Sequence, residues 1–266
     1  MKIVRNALID LNHSQMNTKP FQEPNKENLT MSSEPLRIIH KDDLPEGGFA
    51  GIVETRMVIS PSMSAEATAN KEISHGLNDF IYLSSGHFKP NDGAPIHPHQ
   101  DVDIVTVVLN GAVGHKGTLG DGTIVEGPGA QVQRAGTGIQ HSEYNMNDTN
   151  SEFIQIWFRP PKTGLSPAYQ NFEFHESVLT TVLGGENDDT FHSNMICQVG
   201  NLDKDQSVIS SIPFVALITK GSATANGALV KAGDLIEGNS LNLMAHKSVG
   251  LVLIQDNSAF TKTTKK

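Results

Sequence analysis

A single cysteine, Cys197, stands in 266 residues, so no intrachain disulfide can form and a reducing, cytoplasmic setting is expected. One tryptophan and three tyrosines leave the core to Val, Ile, Leu, Ala and Phe. With 37% hydrophobic residues, that supply is enough for a packed globular protein of this length. No apolar run reaches the ~18 residues of a membrane-spanning helix, and Asp10 interrupts the N-terminal stretch before it forms a secretory core. Basic residues are scarce: 20 Lys and Arg against 29 Asp and Glu give a net charge of −9. That balance excludes a general nucleic-acid binder, which needs a basic face, and a protein that docks on anionic membranes. The only basic run, the terminal TKTTKK, reads as a solvated tail.

A long helical period is also lacking. From Leu36 onward the chain is a series of short apolar or alternating runs such as DFIYLSSGHF, DIVTVVLNG, AQVQRAG, FIQIWFRP, PFVALITKG and VGLVLIQ, broken by Gly, Pro, Asn and Asp. Many short strands at such spacing mean an all-β antiparallel sandwich or barrel. Short helices are expected only near SAEATANKEISHG and within residues 166–184. Residues 1–33 are polar, aperiodic and scattered with Pro, and read as a disordered arm. The prolines of FRPPKTGLSPAYQ mark a linker, taken as residues 166–185. It divides a first unit, 34–165, from a second, 186–266. The two echo each other: a strand ending in LNG and then EGPGAQ, against a strand ending in ITKG and then VKAGDLIEG, as in a duplicated β-barrel.

Only the first unit carries ligand-type side chains in pairs: His97 and His99 in IHPHQD, His141 and Glu143 in IQHSEYN. Residues i and i+2 of a strand share a face, so two facing strands would offer three imidazoles and a carboxylate to one point. That donor set suits a transition metal. Structural zinc normally takes several cysteines, which this chain cannot supply. The histidines of the second unit, His175, His192 and His246, are isolated. Asp101 and Asp103 share the parity of His97 and His99, and Asn145 that of His141 and Glu143. On straight strands these three would line the pocket or orient a ligand, whereas a bulge would turn the aspartates to solvent. Pro98, without an N–H, favours an edge strand or a bulge. His87 and His115 are further candidates for the pocket, against the commoner fate of a histidine satisfied structurally. Trp157 is most simply core.

The segment from HPHQDVDIVTVVLNG through AGTGIQHSE, IWFRPP and SPAYQ resembles the signature region of the pirins, a family of the cupin superfamily; the similarity runs from about residue 80 to 172 and more weakly beyond. The resemblance implies a bicupin: two tandem antiparallel cupin-type barrels, with iron in the first and a degenerate second. It implies His97, His99, His141 and Glu143 as the iron ligands, with Zn, Mn, Cu, Ni or Co as other divalent occupants. After HPH the family usually continues with a small or basic residue and then Gly-Phe-Glu; here the chain reads Gln100, Asp101, Val102, Asp103. These departures are expected to alter the pocket wall.

Two functions follow from the resemblance. One is a dioxygenase of the quercetin 2,3-dioxygenase type, acting on a flavonol-like aromatic substrate and dioxygen. In it the metal lowers the pKa of the substrate's 3-hydroxyl, and Glu143 is both ligand and catalytic base. The other is a regulatory protein that binds a transcription factor or metabolic enzyme according to the metal's redox state.

Overall fold

The run DIVTVVLN offers apolar side chains at successive positions, so both faces of the strand it forms must be covered. In the computed structural model, which describes residues 35–185 and 189–257, it is the strand Asp103–Asn110, buried from Asp103 to Val108. It lies within an antiparallel seven-stranded sheet in the order Ala168–Glu173, Gly129–Arg134, Asp103–Asn110, Ser151–Phe158, Phe80–Phe88, Ile52–Ile59, Glu46–Phe49. Ile104 and Val108 face inward against a four-stranded sheet made of His97–His99, Ile139–Tyr144, Ala112–Gly117 and Ile124–Glu126. There Val108 packs with Val113 and Val125, and Ile104 with Ile139. Val105 and Val107 point the other way, into a core shared with the second half. Each Val or Ile so withdrawn from water contributes about 1.5–3 kcal/mol before the cost of ordering is subtracted.

The second half repeats the plan. A six-stranded sheet runs Arg37–His40, Asp234–Gly238, Phe214–Lys220, Val249–Asp256, Met195–Leu202, Leu179–Leu183. It closes over a four-stranded sheet of Ser207–Ser210, Leu241–Ala245, Ser222–Ala225 and Ala228–Lys231 around a core of Phe214, Ile218, Leu241, Leu243, Leu251 and Leu253. The two large sheets stack back to back: Val105, Val107, Ile154 and Ile156 share one cluster with Val215, Leu217, Val252 and Ile254. The fold is the expected one, all-β with two tandem antiparallel barrels. Helical structure among the described residues is limited to two 3-10 turns, Lys41–Asp43 and Ala65–Ala69.

Three expectations about the boundaries need correction. The stretch 166–185 is not a bare linker and not helical. Ala168–Glu173 pairs with Gly129–Arg134 at one edge of the seven-stranded sheet, and Leu179–Leu183 pairs with Met195–Leu202 at an edge of the six-stranded one. An open sheet edge supplies the backbone with partners that a short isolated helix cannot, so tertiary pairing decides. The first described strand, Arg37–His40, pairs with Asp234–Gly238 and belongs to the second sheet rather than to the first unit. The arm expected over 1–33 and the basic tail lie outside the described residues.

Candidate metal centre

The strand His97–His99 is the edge of its four-stranded sheet, which is where Pro98 can sit without breaking a ladder. It pairs antiparallel with Ile139–Tyr144 so that His97 stands directly opposite His141, and His99 opposite Ile139. Cross-strand partners share a face. The register therefore converts two i, i+2 pairs into one cluster: the ring centroids of His97, His99 and His141 lie 4.5–4.8 Å apart, and one ligand nitrogen of each falls within 4.8 Å of the others. On the other side of Ile139–Tyr144, Gly117 faces His141. Its φ is +153°, and a Cβ there would come 2.1 Å from the Gln140 carbonyl oxygen, so the strand beside the ligands admits only glycine.

Protonation suits coordination. Burial, aided by the neighbouring imidazoles, pushes His99 down to about 4 and His141 down to about 3, so both rings are neutral near pH 7. The Nδ1–H of His97 donates to the Pro95 carbonyl at 2.8 Å, which leaves Nε2 as the nitrogen with the lone pair. That Nε2 lies 3.0 Å from Nε2 of His141. Two nitrogens bound cis to one metal at about 2.1 Å each would be about 3 Å apart. The residues present therefore fit a divalent transition metal, and the three histidines can hold one.

Glu143 is 1% exposed and its carboxylate is held by neutral donors from three strands of the facing sheet. Oε1 accepts from the Thr106 hydroxyl at 2.8 Å and from the Gln131 amide; Oε2 accepts from the Gln155 amide at 2.9 Å. Oε1 is thus saturated, whereas Oε2 keeps a free lone pair. Behind His141, the buried His115 ring places Nε2 3.3 Å from His141 Nδ1 and Nδ1 3.3 Å from the Gly120 carbonyl. The Tyr169 ring lies tilted against His115 at 5.3 Å, and its hydroxyl donates to Gln131 Oε1 at 2.9 Å, which ties the carboxylate side of the network to the histidine side.

His97, His99 and Glu143 line a cavity of about 580 Å³ together with Gln155, Trp157 and Tyr82. Apolar walls come from Ile52, Ile59 and Ile73, while Phe49 and Met63, both substantially exposed, mark its rim. The size is that of a pocket for a small organic molecule. Trp157 is not simply core: its ring meets His99 edge-on at 5.3 Å and lies 4.7 Å from Tyr82.

Comparison with known proteins places the chain in a family. A family model described as Pirin matches residues 60–158. A pirin-like protein of Caulobacter vibrioides is 31% identical over 186 residues, covering 65% of this chain and 73% of the relative. The chain belongs to the pirin family. A quercetin 2,3-dioxygenase of Escherichia coli K12 is 30% identical over 168 residues, covering 60% of this chain and 73% of that enzyme. The solved structure of the bacterial pirin YhhW from Escherichia coli in complex with nickel(II) superposes with a TM-score of 0.71 at 22% identity. It covers 83% of this chain and 98% of that one, a likeness of fold.

Against the pirin pattern, the aspartates after His99 sit elsewhere than parity predicts. Asp101 has φ +50°, the left-handed conformation that suits the family's glycine at this point. The strand ends there and the chain crosses to the other sheet, which resets the alternation. Asp101 Oδ1 instead accepts the Gly164 N–H at 2.7 Å, so it fastens a loop. Asp103 is fully buried in a two-point ion pair with Arg134, at 2.9 and 2.6 Å, and Arg134 also donates to the His192 carbonyl. Asn145 donates to the Phe88, Lys89 and Thr149 carbonyls and holds a turn. None of these three lines the cavity, and neither does His87. The residues that sequence reasoning missed are Thr106, Gln131 and Gln155. A signal existed for two of them: Thr106 interrupts the apolar run IVTVV and Gln155 the run FIQIWF, whereas Gln131 lies in GAQVQR among other polar residues.

Proposed function

We propose that this pirin-family protein is a metal-dependent dioxygenase that cleaves the ring of a flavonol-like substrate, with iron at the three-histidine centre. The observation that carries the reading is the cluster of three imidazoles, His97, His99 and His141, of which His97 and His99 line, with the buried Glu143 carboxylate, one cavity sized for a small organic molecule. His97, His99 and His141 would hold the metal, with Glu143 as the fourth ligand. A divalent metal so held would supply Lewis acidity to a substrate hydroxyl and a template for dioxygen.

The chain's own groups do the rest. Trp157, Ile52, Ile73 and Met63 bind planar rings and exclude water. Glu143 Oε2, which keeps a free lone pair, would take the proton of the substrate hydroxyl, while Thr106, Gln131 and Gln155 fix the carboxylate in place. The quercetin 2,3-dioxygenase relative at 30% identity supports this chemistry.

The test has two parts. Elemental analysis of the purified protein should find about one iron or other divalent metal per chain, lost in His97→Ala and in Glu143→Ala. Quercetin added anaerobically, followed by oxygen, should be bleached with release of carbon monoxide. Absence of turnover by the fully metal-loaded protein would refute the dioxygenase reading.

A further inference from the structure

The cavity lined by His97 and His99 also holds a guanidinium. Arg56 is the only Lys or Arg among the described residues that line it. Positions 54 and 56 share a face of the strand Ile52–Ile59. The Arg56 Nε–H donates to Glu54 Oε1 at 2.8 Å, and Glu54 Oε2 accepts the Tyr82 hydroxyl at 3.0 Å. Glu54 and Tyr82 are both buried, at 8% and 7% exposure, whereas the Arg56 side chain is 51% exposed. Both Glu54 oxygens are therefore engaged in holding neighbours, and the guanidinium is aimed rather than free to swing. Only Nε is spent on Glu54, and the Tyr82 hydroxyl is the guanidinium's other neighbour; the Nη1 and Nη2 edge donates to no carboxylate or carbonyl of the described residues.

A guanidinium serving only to neutralise Glu54 would present its fork to both carboxylate oxygens. Here one oxygen goes to Tyr82 instead, and the planar Nη1/Nη2 edge is left for a second carboxylate. The rest of the lining is unfavourable to anions, because Glu54, Glu66 and Glu143 are its acidic side chains. An acidic ligand is thus accepted in one orientation, with its charge at Arg56 and its apolar body along Ile52, Ile73 and Trp157. We infer that Arg56 is an anion-recognition site of this cavity, and that the substrate is a planar, largely apolar molecule with a carboxylate remote from the end that meets the histidines. The inference rests on the cavity being the substrate site; quercetin, which has no carboxylate, is then a surrogate.

The experiment is calorimetric binding of 2-naphthoate and of 2-naphthamide, equal in shape and different in charge, to the full chain, both metal-free and nickel-loaded. The wild type should bind naphthoate about tenfold or more tightly than naphthamide in both forms. Arg56→Met should erase that preference, and Arg56→Lys should keep part of it. Since Arg56→Met leaves Glu54 without its cation, the double variant Glu54→Gln/Arg56→Met is measured too, with unchanged nickel content as the sign of an intact centre. Equal affinities in the wild type, no binding of either probe, or a preference that survives both Met variants would overturn the inference. A naphthoate preference without quercetin turnover would defeat the ring-cleavage reading alone; turnover without the preference would defeat this one alone.

Discussion

Lowering the pH should destabilise the metal-free protein through His141, by an amount set by its burial. In the unfolded chain its imidazole titrates at the ordinary 6.5; in the folded barrel it does not take a proton until about pH 3. Between those values the unfolded state binds a proton that the folded state refuses, so stability is present in full above pH 6.5 and falls as the pH drops toward 3. At pH 5 nearly every unfolded copy carries this proton and hardly any folded copy does, a loss of about 2 kcal/mol relative to pH 7. The figure changes little for any folded value below about 4. Urea unfolding in the presence of a chelator, at pH 7 and pH 5, measures it. In a chain of this size, 2 kcal/mol corresponds to roughly 4–8 °C in Tm. His141→Gln, which lacks the titrating group, should show a pH 7-to-5 loss smaller than wild type by about that 2 kcal/mol, whatever its absolute stability. If the variant and the wild type lose the same amount, His141 is not the desolvated imidazole described above.

Three other predictions follow from named contacts. Glu143→Ala strands the donors of Thr106, Gln131 and Gln155 in the interior and should cost about 3 kcal/mol or more in urea unfolding, beyond its loss of metal. Asp103→Ala leaves Arg134 buried and unpaired and should cost about 3–5 kcal/mol. Metal content per folded chain should stay unchanged in that variant, since Asp103 is outside the cavity, and a loss of metal would contradict that placement. Trp157, the single tryptophan, lies 5.3 Å from the His99 ring, so nickel or iron binding should quench its fluorescence, and His99→Ala should abolish the quenching.

The clustered histidines were legible because their signal is local. An i, i+2 spacing in a strand fixes a shared face whatever the rest of the chain does, and glycine-rich turns with short apolar runs leave few alternatives to an all-β barrel. The aspartates show where that reasoning stops. Asp101 and Asp103 share the parity of His97 and His99, yet parity holds only within one strand; that strand ends at His99, and Asp101, at φ +50°, resets the alternation before the next strand begins at Asp103. The same limit hid the strands inside 166–185. Ala168–Glu173 and Leu179–Leu183 have weak patterns of their own and exist because open sheet edges receive them.

By itself, the sequence determined the all-β class, the duplicated plan, the confinement of ligand pairs to the first half, and the donor types at the centre. These depend on residue identity and on spacings of a few positions. Only the tertiary structure decided which strand stands opposite which. The pairing of His97 with His141, the three donors that pin Glu143 from the facing sheet, and the presence of Arg56 and Trp157 in the same cavity all join residues tens of positions apart. Such contacts arise from sheet register and from the packing of two sheets face to face, and no local pattern along the chain encodes either.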